Sequence, residues 1–305
     1  MSEVLKKYKN GDYDFTIYSD GTLIRETEVD NAKVVYPTSI DIKLTDYCSM
    51  NCFWCHESST TKGLHGDLKK LLEVIKDLPA GGEVALGGGN PLDHIGLVPF
   101  LYEIKRRGLY ANLTVNQGHL KEFNALLTFL LKEDLIKGLG ISISNNNFKY
   151  IKPLLKLSDN IVYHVISGVN KVEIIDKLLT LGKSKILVLG YKKFGFGIKY
   201  HNEEIDKEIR RWYMYLPKYI GKCIISFDNL AIEQLNVRRL FTDAGWNKFY
   251  MGDDFVFTMY IDAVKQQFAP TSRSNNRKSF DEYSSVVEYF NKERENCNPK
   301  QEVSV

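Results

Sequence analysis

Three of the five cysteines of this 305-residue chain fall within eight residues, as Cys48, Cys52 and Cys55. An odd number of clustered thiols is a poor disulfide framework, and a reducing compartment disfavours disulfides in any case. Clustered thiols of this kind are typical of metal binding. The other two, Cys223 and Cys297, stand alone in the sequence, and we interpret them as small apolar residues and not as ligands.

The C-x3-C-x2-C spacing favours an iron–sulfur cluster over zinc. Three thiolates on one short loop can ligate three irons of a [4Fe–4S] cubane and leave the fourth iron open. Phe53 and Trp54 precede the last cysteine, and we expect them to shield such a cluster from water. Zinc, with His56 or a distant residue as fourth ligand, is the alternative. Structural zinc sites are usually built from paired knuckles, and the sequence has no second C-x2-C, so His56 is a better candidate for tuning the cluster from outside the ligand set.

The elements around this motif alternate between strands and helices. Predicted strands span 39–44, 83–86, 109–115, 138–144, 160–166, 185–189 and 223–227. Predicted helices, from their apolar spacing, span 67–78, 96–107, 119–131, 147–155, 171–181 and 204–213. Such alternation indicates βαβ units, a parallel sheet and right-handed crossovers. The fold class is therefore α/β, as a partial to full (β/α) barrel, with a doubly wound open sheet as the alternative.

Two further segments predict β-hairpins outside the barrel. Tyr13–Glu28 alternates around Asp20-Gly21, which is a strong hairpin signal. A second hairpin is predicted from Phe249–Met251 and Phe255–Val264. We therefore divide the chain into an N-terminal hairpin extension (1–37), a barrel core (38–228) and a C-terminal extension (229–305). The last part is expected to close the barrel mouth and to fray at its end.

The ends of the predicted strands carry glycines and polar side chains. The second barrel strand ends in Gly87-Gly88-Gly89-Asn90-Pro91, where glycine allows a close approach of the backbone and proline stiffens the exit. The carboxyl ends of barrel strands share one mouth, where barrel enzymes place their sites. Polar residues follow the next two strands, at Thr114, Asn116 and Gln117 and at Ser142, Ser144 and Asn145. For the second group, cofactor contact and ordinary strand-end polarity are equally well supported.

The C-x3-C-x2-C motif after the first barrel strand, with an aromatic residue before its last cysteine, is similar to the signature of radical S-adenosylmethionine (radical SAM) enzymes. The resemblance covers roughly residues 40–191 and does not explain the terminal hairpins. It implies a β/α barrel with a [4Fe–4S] cluster held by Cys48, Cys52 and Cys55 and SAM on the open iron. It also implies reductive cleavage of SAM to a 5′-deoxyadenosyl radical that abstracts a substrate hydrogen, and an electron donor such as flavodoxin or ferredoxin.

The resemblance also implies which residues contact SAM. The family's Gly-Gly-Glu-Pro-like turn corresponds here to Gly88, Gly89, Asn90 and Pro91, whose backbone would receive the SAM amino group. Asn90 replaces the family's glutamate, which is a departure from the pattern. Further cofactor contacts are implied at Trp54, Asn116, Ser142, Ser144, Ile166 and Tyr191. His164 replaces a glycine of the family's adenine-contacting stretch, and we interpret it as a hydrogen-bonded core residue.

The composition bears on substrate and compartment. Lys and Arg total 41 against 38 acidic residues, and a net charge of +3 without a basic stripe argues against nucleic acid. Too few other cysteines remain for the auxiliary clusters of many peptide-modifying relatives. We therefore expect a small-molecule substrate, such as a nucleotide or sugar derivative. A short peptide added to a hairpin edge is the second hypothesis. A non-catalytic iron–sulfur or zinc protein is the third.

No apolar stretch reaches the length of a membrane span, and the N-terminus lacks the apolar core of a secretory signal. These features predict a cytoplasmic protein without membrane contact. The sequence singles out no residue that quenches the radical. Asp228, or a tyrosine or cysteine near the seventh barrel strand, could donate a hydrogen atom or a proton, and the pattern does not choose among them.

Overall fold

The structure is a computed structural model that describes residues 3–182 and 184–297. Its strands β1–β13 span Val4–Asn10, Tyr13–Tyr18, Leu23–Glu26, Ser39–Thr45, Glu83–Gly88, Tyr110–Asn116, Gly138–Ser142, Ile161–Ile166, Lys185–Leu189, Ile224–Phe227, Thr258–Asp262, Gln267–Ala269 and Lys278–Ser279. Its helices α1–α9 span Leu68–Val74, Leu97–Arg106, Asn124–Lys132, Ile174–Leu179, Phe196–Tyr200, Glu203–Tyr215, Asn229–Gln234, Asp243–Phe249 and Val286–Cys297. None of the helices in these two stretches has the length and apolar character needed to cross a membrane.

The main sheet has ten strands in the order β10-β9-β8-β7-β6-β5-β4-β11-β12-β13. Neighbours from β10 to β11 are parallel. Strand order follows chain order from β4 to β10, as in a barrel, without the reversal that a doubly wound sheet requires. Because β10 and β13 lie at opposite ends of the sheet, it is open. The predicted α/β barrel is thus confirmed in its partial form.

The two faces of β4 show how the sheet separates core from site. Ile40, Ile42 and Leu44 are buried in the apolar core, at a gain of roughly 1.5–3 kcal/mol for each side chain. Asp41 and Lys43 alternate with them and line a cavity on the opposite face. The period of two along a strand therefore gives the barrel an apolar outer layer and a polar interior.

One predicted helix is wrong. Residues 147–155 contain no α-helix, and a short 3₁₀ turn at Leu154–Lys156 takes its place. The Asn145 side chain accepts the backbone N–H of Asn147 at 2.8 Å, and Asn147 accepts that of Lys149 at 3.2 Å. Such side-chain-to-backbone bonds compete with helical hydrogen bonding and favour turns.

Both terminal additions contain hairpins, but only the first has the predicted strands. β2 and β3 pair around Asp20-Gly21 as predicted, and β1 makes this a three-stranded sheet. The predicted strand Phe249–Met251 is wrong, because Thr242 caps α8 there by accepting the backbone N–H of Gly245 at 3.2 Å. The C-terminal hairpin is β11–β12, and β11 joins the barrel beside β4.

The division of the chain at residues 37 and 228 stays a prediction. The predicted frayed end, from residue 298 onward, lies outside the described residues.

Candidate active site

A cavity of about 290 Å³ opens at the carboxyl ends of the parallel strands. This is the end where barrel enzymes place their sites. Its polar, glycine and aromatic lining residues include Asp41, Lys43, Cys48, Cys52, Trp54, Cys55, His56, Glu57, Gly87, Gly88, Gly89, Thr114, Asn116, Ser142, His164, Tyr191, Lys192, Tyr260 and Ser272. Residues from β4 to β9 and from the C-terminal region thus surround one space, which all three clustered cysteines face.

The segment 46–57, which we call the cluster loop, is closed at its base by backbone hydrogen bonds. The N–H of Cys48 donates to the carbonyl of Thr60 at 3.0 Å, and the N–H of Thr60 donates to that of Asp46 at 3.1 Å. Inside the loop, the N–H of Cys55 donates to the carbonyl of Cys52 at 3.1 Å. These bonds form tight turns, so the short spacing by itself directs the thiols toward the cavity.

The donor set of the loop fits an iron–sulfur cluster. His119 Nε2 lies 3.6 Å from Cys48 Sγ, and Asn116 Nδ2 donates to Cys52 Sγ at 4.0 Å. Burial, followed by the charges of Cys55 and Cys48, raises the pKa of Cys52 to about 11. Coordination to iron relieves this cost, since the thiolate is the ligand form.

Among residues 3–182 and 184–297, no three His, Cys, Asp or Glu side chains are grouped so as to hold one metal ion.

The glycine turn after β5 packs directly against the cluster loop. The N–H of Gly89 donates to the carbonyl of Thr45, and that of Asn90 to the carbonyl of Tyr47, each at 2.6 Å. Gly88 has a φ of +111°, and a Cβ at Gly89 would lie 2.1 Å from the Tyr47 carbonyl oxygen. Only glycine fits such a backbone contact.

We expect Gly89→Ala to lower the iron and sulfide content after anaerobic reconstitution to less than half of the wild-type value. The added methyl group must displace the Tyr47 carbonyl and with it the start of the cluster loop. Gly87→Ala is the matched control, because a Cβ there meets only Thr114 Cβ, at 3.9 Å. Equal iron content in the two variants would show that the contact at Gly89 is not needed.

Most of the predicted SAM contacts face the cavity, namely Trp54, Gly88, Gly89, Asn116, Ser142, Ile166 and Tyr191. Two do not line it. The Asn90 side chain accepts the N–H of Leu92 and donates to Asp93 at 2.8 Å, so it caps a short turn. The backbone N–H of Ser144 donates to Gln117 Oε1 at 3.1 Å, outside the cavity lining.

The two aromatic residues of the cluster loop point in different directions. Trp54 lines the cavity. Phe53 is 68% exposed, and its ring stacks on Tyr200 with centroids 5.8 Å apart. The predicted shielding role is therefore wrong for Phe53, because the turn between Cys52 and Cys55 directs neighbouring side chains to opposite sides.

Sequence reasoning missed the polar groups of the barrel interior. His164, interpreted as a hydrogen-bonded core residue, lines the cavity, and its imidazole makes no hydrogen bond to any residue of the described stretches. Its ring lies over Gly140, where a Cβ would be 2.6 Å from Nε2. Burial lowers the pKa of His164 to about 4, so the imidazole is neutral near pH 7. That interpretation is wrong because His164 projects inward from β8.

The carboxyl group of Asp41 is a second inward-facing group without a hydrogen-bond partner among the described residues, and it is exposed to the open cavity. Enclosure by protein raises the pKa of Asp41, the ammonium of Lys192 opposes that shift, and Asp228 adds to it. The strict alternation of the strand 39–44 was the signal that could have placed Asp41 in the interior. Asp228, a candidate donor from sequence, caps α7 by accepting the N–H of Ala231 at 2.7 Å, and its role as a donor stays a prediction.

Lys43 is a buried cation with three acidic partners. Its side chain is 4% exposed, and Nζ lies 2.7 Å from Asp262, 2.9 Å from Asp46 and 3.3 Å from Glu57. Burial would lower the pKa of Lys43, but Glu57, then Asp262 and Asp46, raise it above its usual range. Asp46 and Glu57 bound the cluster loop, so this Lys43 ion network fixes both ends of the loop to β11.

The sequence model of the radical SAM superfamily matches residues 42–215, which is more than half of the chain. The chain belongs to the radical SAM superfamily. Members of this superfamily bind a [4Fe–4S] cluster and SAM. The resemblance stated from the cysteine motif is confirmed.

A curated relative is the probable GTP 3′,8-cyclase of Methanothermobacter thermautotrophicus, which is 30% identical over 95 residues. That match covers 30% of this chain and 31% of the cyclase.

Solved structures of SuiB from Streptococcus suis share the fold. SuiB bound to SAM matches with a TM-score of 0.63 and 13% identity, over 85% of this chain and 66% of SuiB. SuiB bound to its precursor peptide SuiA matches with a TM-score of 0.61 and 15% identity, over 85% and 65%. This radical SAM chain thus spans slightly less than two thirds of SuiB, and at such identity the likeness shows the fold alone.

Proposed function

We propose that this radical SAM enzyme holds its cluster on Cys48, Cys52 and Cys55 and abstracts hydrogen from a small molecule bound in the same cavity. One observation carries the proposal. The space that the three thiols face is also lined by Asp41 and His164, whose side chains have no hydrogen-bond partner among the described residues.

Several residues of this chain support a cavity with a cofactor side near the cluster loop and a substrate side near Asp41 and His164. When bound, the cluster and SAM supply a 5′-deoxyadenosyl radical that removes a hydrogen atom from the substrate. Gly88 and Gly89 lie beside the cluster loop and would receive the SAM amino group. On the substrate side, Asp41 can accept hydrogen bonds from amino or hydroxyl groups, and neutral His164 can both donate and accept.

A positive charge faces the same space. Lys192 Nζ lies 3.2 Å from Ser272 Oγ and 3.4 Å from His56 Nε2, and it has no acidic partner within ion-pair distance in the described stretches. An anionic group on the substrate would pair with this ammonium. Together with Asp41, Lys192 favours a phosphorylated or carboxylated metabolite that also carries hydroxyl or amino groups.

A short peptide is the second candidate. SuiB, which shares the fold over 85% of this chain, has been solved with its precursor peptide. β10 also lies at an end of the sheet, where an extended peptide can add as a strand.

The test starts from anaerobically reconstituted enzyme with SAM and dithionite, and 5′-deoxyadenosine is measured by chromatography. Phosphorylated and carboxylated metabolites and short peptides are then added in turn. We expect a small metabolite to stimulate 5′-deoxyadenosine formation and, when deuterated, to transfer deuterium to it. Stimulation by peptides alone would replace the first candidate with the second. Absence of 5′-deoxyadenosine under all conditions would contradict both.

Asp41→Asn should separate SAM cleavage from substrate binding. We expect cleavage without substrate to stay within about twofold of wild type, because Asp41 is not among the residues to which we assign the cluster or SAM. Substrate-stimulated cleavage should fall by roughly 10- to 100-fold, which corresponds to losing a hydrogen bond to a charged group of about 1.5–3 kcal/mol. Asp159→Asn, on an exposed turn, is the matched control.

The same pair of variants gives a pH test. Since the pKa of Asp41 is raised, stimulation should decline as the pH falls through that raised value, and Asp41→Asn should lack this step. A stimulated rate that is equal in Asp41→Asn and Asp159→Asn at all pH values would exclude Asp41 from the substrate site.

A further inference from the structure

We propose that the imidazole of His119 donates a hydrogen bond to the Cys48 thiolate and thereby raises the reduction potential of the cluster. The inference rests on the proposed assignment of the cluster to Cys48, Cys52 and Cys55. It identifies His119 as a positioning residue, which acts on the cluster through Cys48 and contacts neither SAM nor substrate.

The His119 side chain is buried, and a cysteine sulfur is its partner. The residue is 2% exposed, and it is not among those that line the cavity. Its Nε2 lies 3.6 Å from Cys48 Sγ, and neither ring nitrogen has another hydrogen-bond partner in residues 3–182 and 184–297. A buried polar group without a hydrogen bond costs free energy, so the contact with Cys48 offsets the burial of this imidazole.

The chemistry of the two groups fixes the direction of this hydrogen bond. A cysteine binds iron as the thiolate, whose sulfur has no hydrogen and can only accept. A neutral imidazole has one nitrogen that donates and one that accepts. The nitrogen that faces the thiolate is therefore the donor, and His119 has its hydrogen on Nε2.

A short 3₁₀ turn after β6 carries His119 and packs against the cluster loop. Asn116 caps this turn by accepting the N–H of Gly118 at 2.8 Å, and its Nδ2 donates to Cys52 Sγ at 4.0 Å. A Cβ at Gly118 would lie 2.5 Å from Met50 Sδ, so the turn and the loop touch. The turn therefore presents two side-chain N–H groups to two of the three clustered cysteines.

A neighbouring aromatic residue holds the His119 ring in place. The ring meets Phe123 edge-on, with centroids 6.2 Å apart and an interplanar angle of 74°. The N–H of Phe123 also donates to the carbonyl of His119 at 3.0 Å. Because packing and backbone already fix the donor, little side-chain entropy is lost when it bonds to sulfur.

His56, the histidine that the sequence favoured for tuning the cluster, has other partners. Its Nε2 lies 3.3 Å from Glu57 Oε1 and 3.4 Å from Lys192 Nζ. It makes no hydrogen bond to a cysteine sulfur in the described part of the chain. Of these two histidines, His119 is therefore the one whose ring faces a proposed ligand.

A hydrogen bond to a ligand sulfur favours the reduced state of the cluster. Reduction adds one electron and so increases the negative charge on the thiolates. A donor aimed at a thiolate stabilises the more negative state more strongly, and hydrogen bonds to sulfur help to set cluster potentials. His119 keeps its proton, so the step consists only of one electron passing from the reductant to the cluster. Because the ring is buried, water does not weaken this interaction.

The test is an anaerobic redox titration of reconstituted holoenzyme in the absence of SAM and substrate, with the EPR signal of the reduced cluster as readout. His119→Phe keeps a ring beside Phe123 and removes the N–H group. At one fixed potential, we expect the ratio of reduced to oxidised cluster to fall roughly 3- to 10-fold, as for the loss of a single hydrogen bond. A tenfold fall corresponds to a potential about 59 mV lower for one electron. Iron and sulfide content should equal those of wild type.

His119→Gln is the conservative variant, because its side-chain amide can donate from nearly the position of Nε2. We expect it to restore the ratio to within about twofold of wild type. His201→Phe is the matched control, since His201 Nε2 lies 2.9 Å from Asp206 and not beside a thiol. Its ratio should also stay within about twofold of wild type.

A second measurement does not depend on how His119→Phe folds. In wild type grown with nitrogen-15-labelled histidine, pulsed EPR should detect a histidine nitrogen coupled to the reduced cluster. The coupling should be absent from His119→Gln grown in the same way, because its amide donor is unlabelled. It should be present in His201→Phe.

Three results would overturn the inference. These are equal ratios in wild type and His119→Phe, equal shifts in His119→Phe and His119→Gln, or a histidine-nitrogen coupling that persists in His119→Gln. In contrast, wild type that assembles no four-iron cluster, or that makes no 5′-deoxyadenosine from SAM with dithionite, would contradict the proposed function. The two failures are therefore distinguishable.

Discussion

Changing any one of Cys48, Cys52 and Cys55 to alanine is expected to abolish 5′-deoxyadenosine formation from SAM. Each thiol lies on one loop and faces one cavity, and we propose that each ligates a different iron, so the other two cannot replace it. Substitution of a residue that only surrounds a metal site already lowers metal affinity or activity 10- to 100-fold. Substitution of a ligand should therefore lower the rate of SAM cleavage by more than about 100-fold. Iron content and the rate of SAM cleavage are the two measurements.

Cys223→Ala is the matched control for this experiment. Cys223 is half-buried and packs against the apolar core, and burial raises the pKa of its thiol. Its loss should change stability by about 1 kcal/mol and leave iron content unchanged. SAM cleavage by a Cys48, Cys52 or Cys55 variant at more than a tenth of the wild-type rate would contradict the assignment of that residue.

The part of the site that sequence predicted is local. The cysteine spacing and the glycine turn specify their own conformations through contacts between nearby residues, such as the bond from Cys55 to Cys52. The strands of the barrel were predictable for the same reason, since alternation and helix spacing are local patterns. The superfamily resemblance then supplied the chemistry that the spacing alone left open.

The part that sequence missed is non-local. Asp41 lies on a strand that alternates between polar and apolar residues, His164 lies on a mainly apolar strand, and only the curvature of the sheet brings both to one cavity. Their side chains lack hydrogen-bond partners because no other side chain comes close enough, and a local sequence pattern does not predict this. Likewise, β11 pairs with β4, although the two are more than two hundred residues apart. Contacts between residues so far apart in the chain produce no periodic pattern in the sequence.

Lys43 belongs to that non-local part, and Lys43→Met is expected to destabilise the protein by about 3–5 kcal/mol. Removing one partner of a buried ion pair leaves uncompensated charge, and here Asp46, Glu57 and Asp262 would face one another without their cation. Urea unfolding of the protein before reconstitution measures this loss without involving the cluster. Because both ends of the cluster loop would be released from β11, iron content after reconstitution should also fall by more than half.

Two controls make the Lys43 prediction specific. Lys105→Met removes a surface lysine that lies 3.9 Å from Asp134, and it should change stability by less than about 1 kcal/mol. Lys43→Met/Glu57→Gln removes one of the stranded carboxylates and should recover part of the loss. If Lys43→Met were as stable as Lys105→Met, the Lys43 ion network would not hold the loop.

The stability of Lys43→Met should respond to a fall in pH in the opposite direction from the stability of wild type. In wild type, burial opposes ionisation of Glu57, but the hydrogen bond and charge of His56, the charge of Lys43 and the hydrogen bond from Tyr260 hold the pKa of that carboxyl well below its usual range. A depressed pKa contributes stability above the unfolded-state value of about 4.3, and this contribution is lost as the pH falls toward the folded-state value. In Lys43→Met, mutual repulsion and burial should raise the carboxyl pKa values instead. Lowering the pH from 7 to 5 should then stabilise that variant relative to wild type, whereas a parallel pH profile for the two proteins would show that Lys43 does not set the ionisation of Glu57.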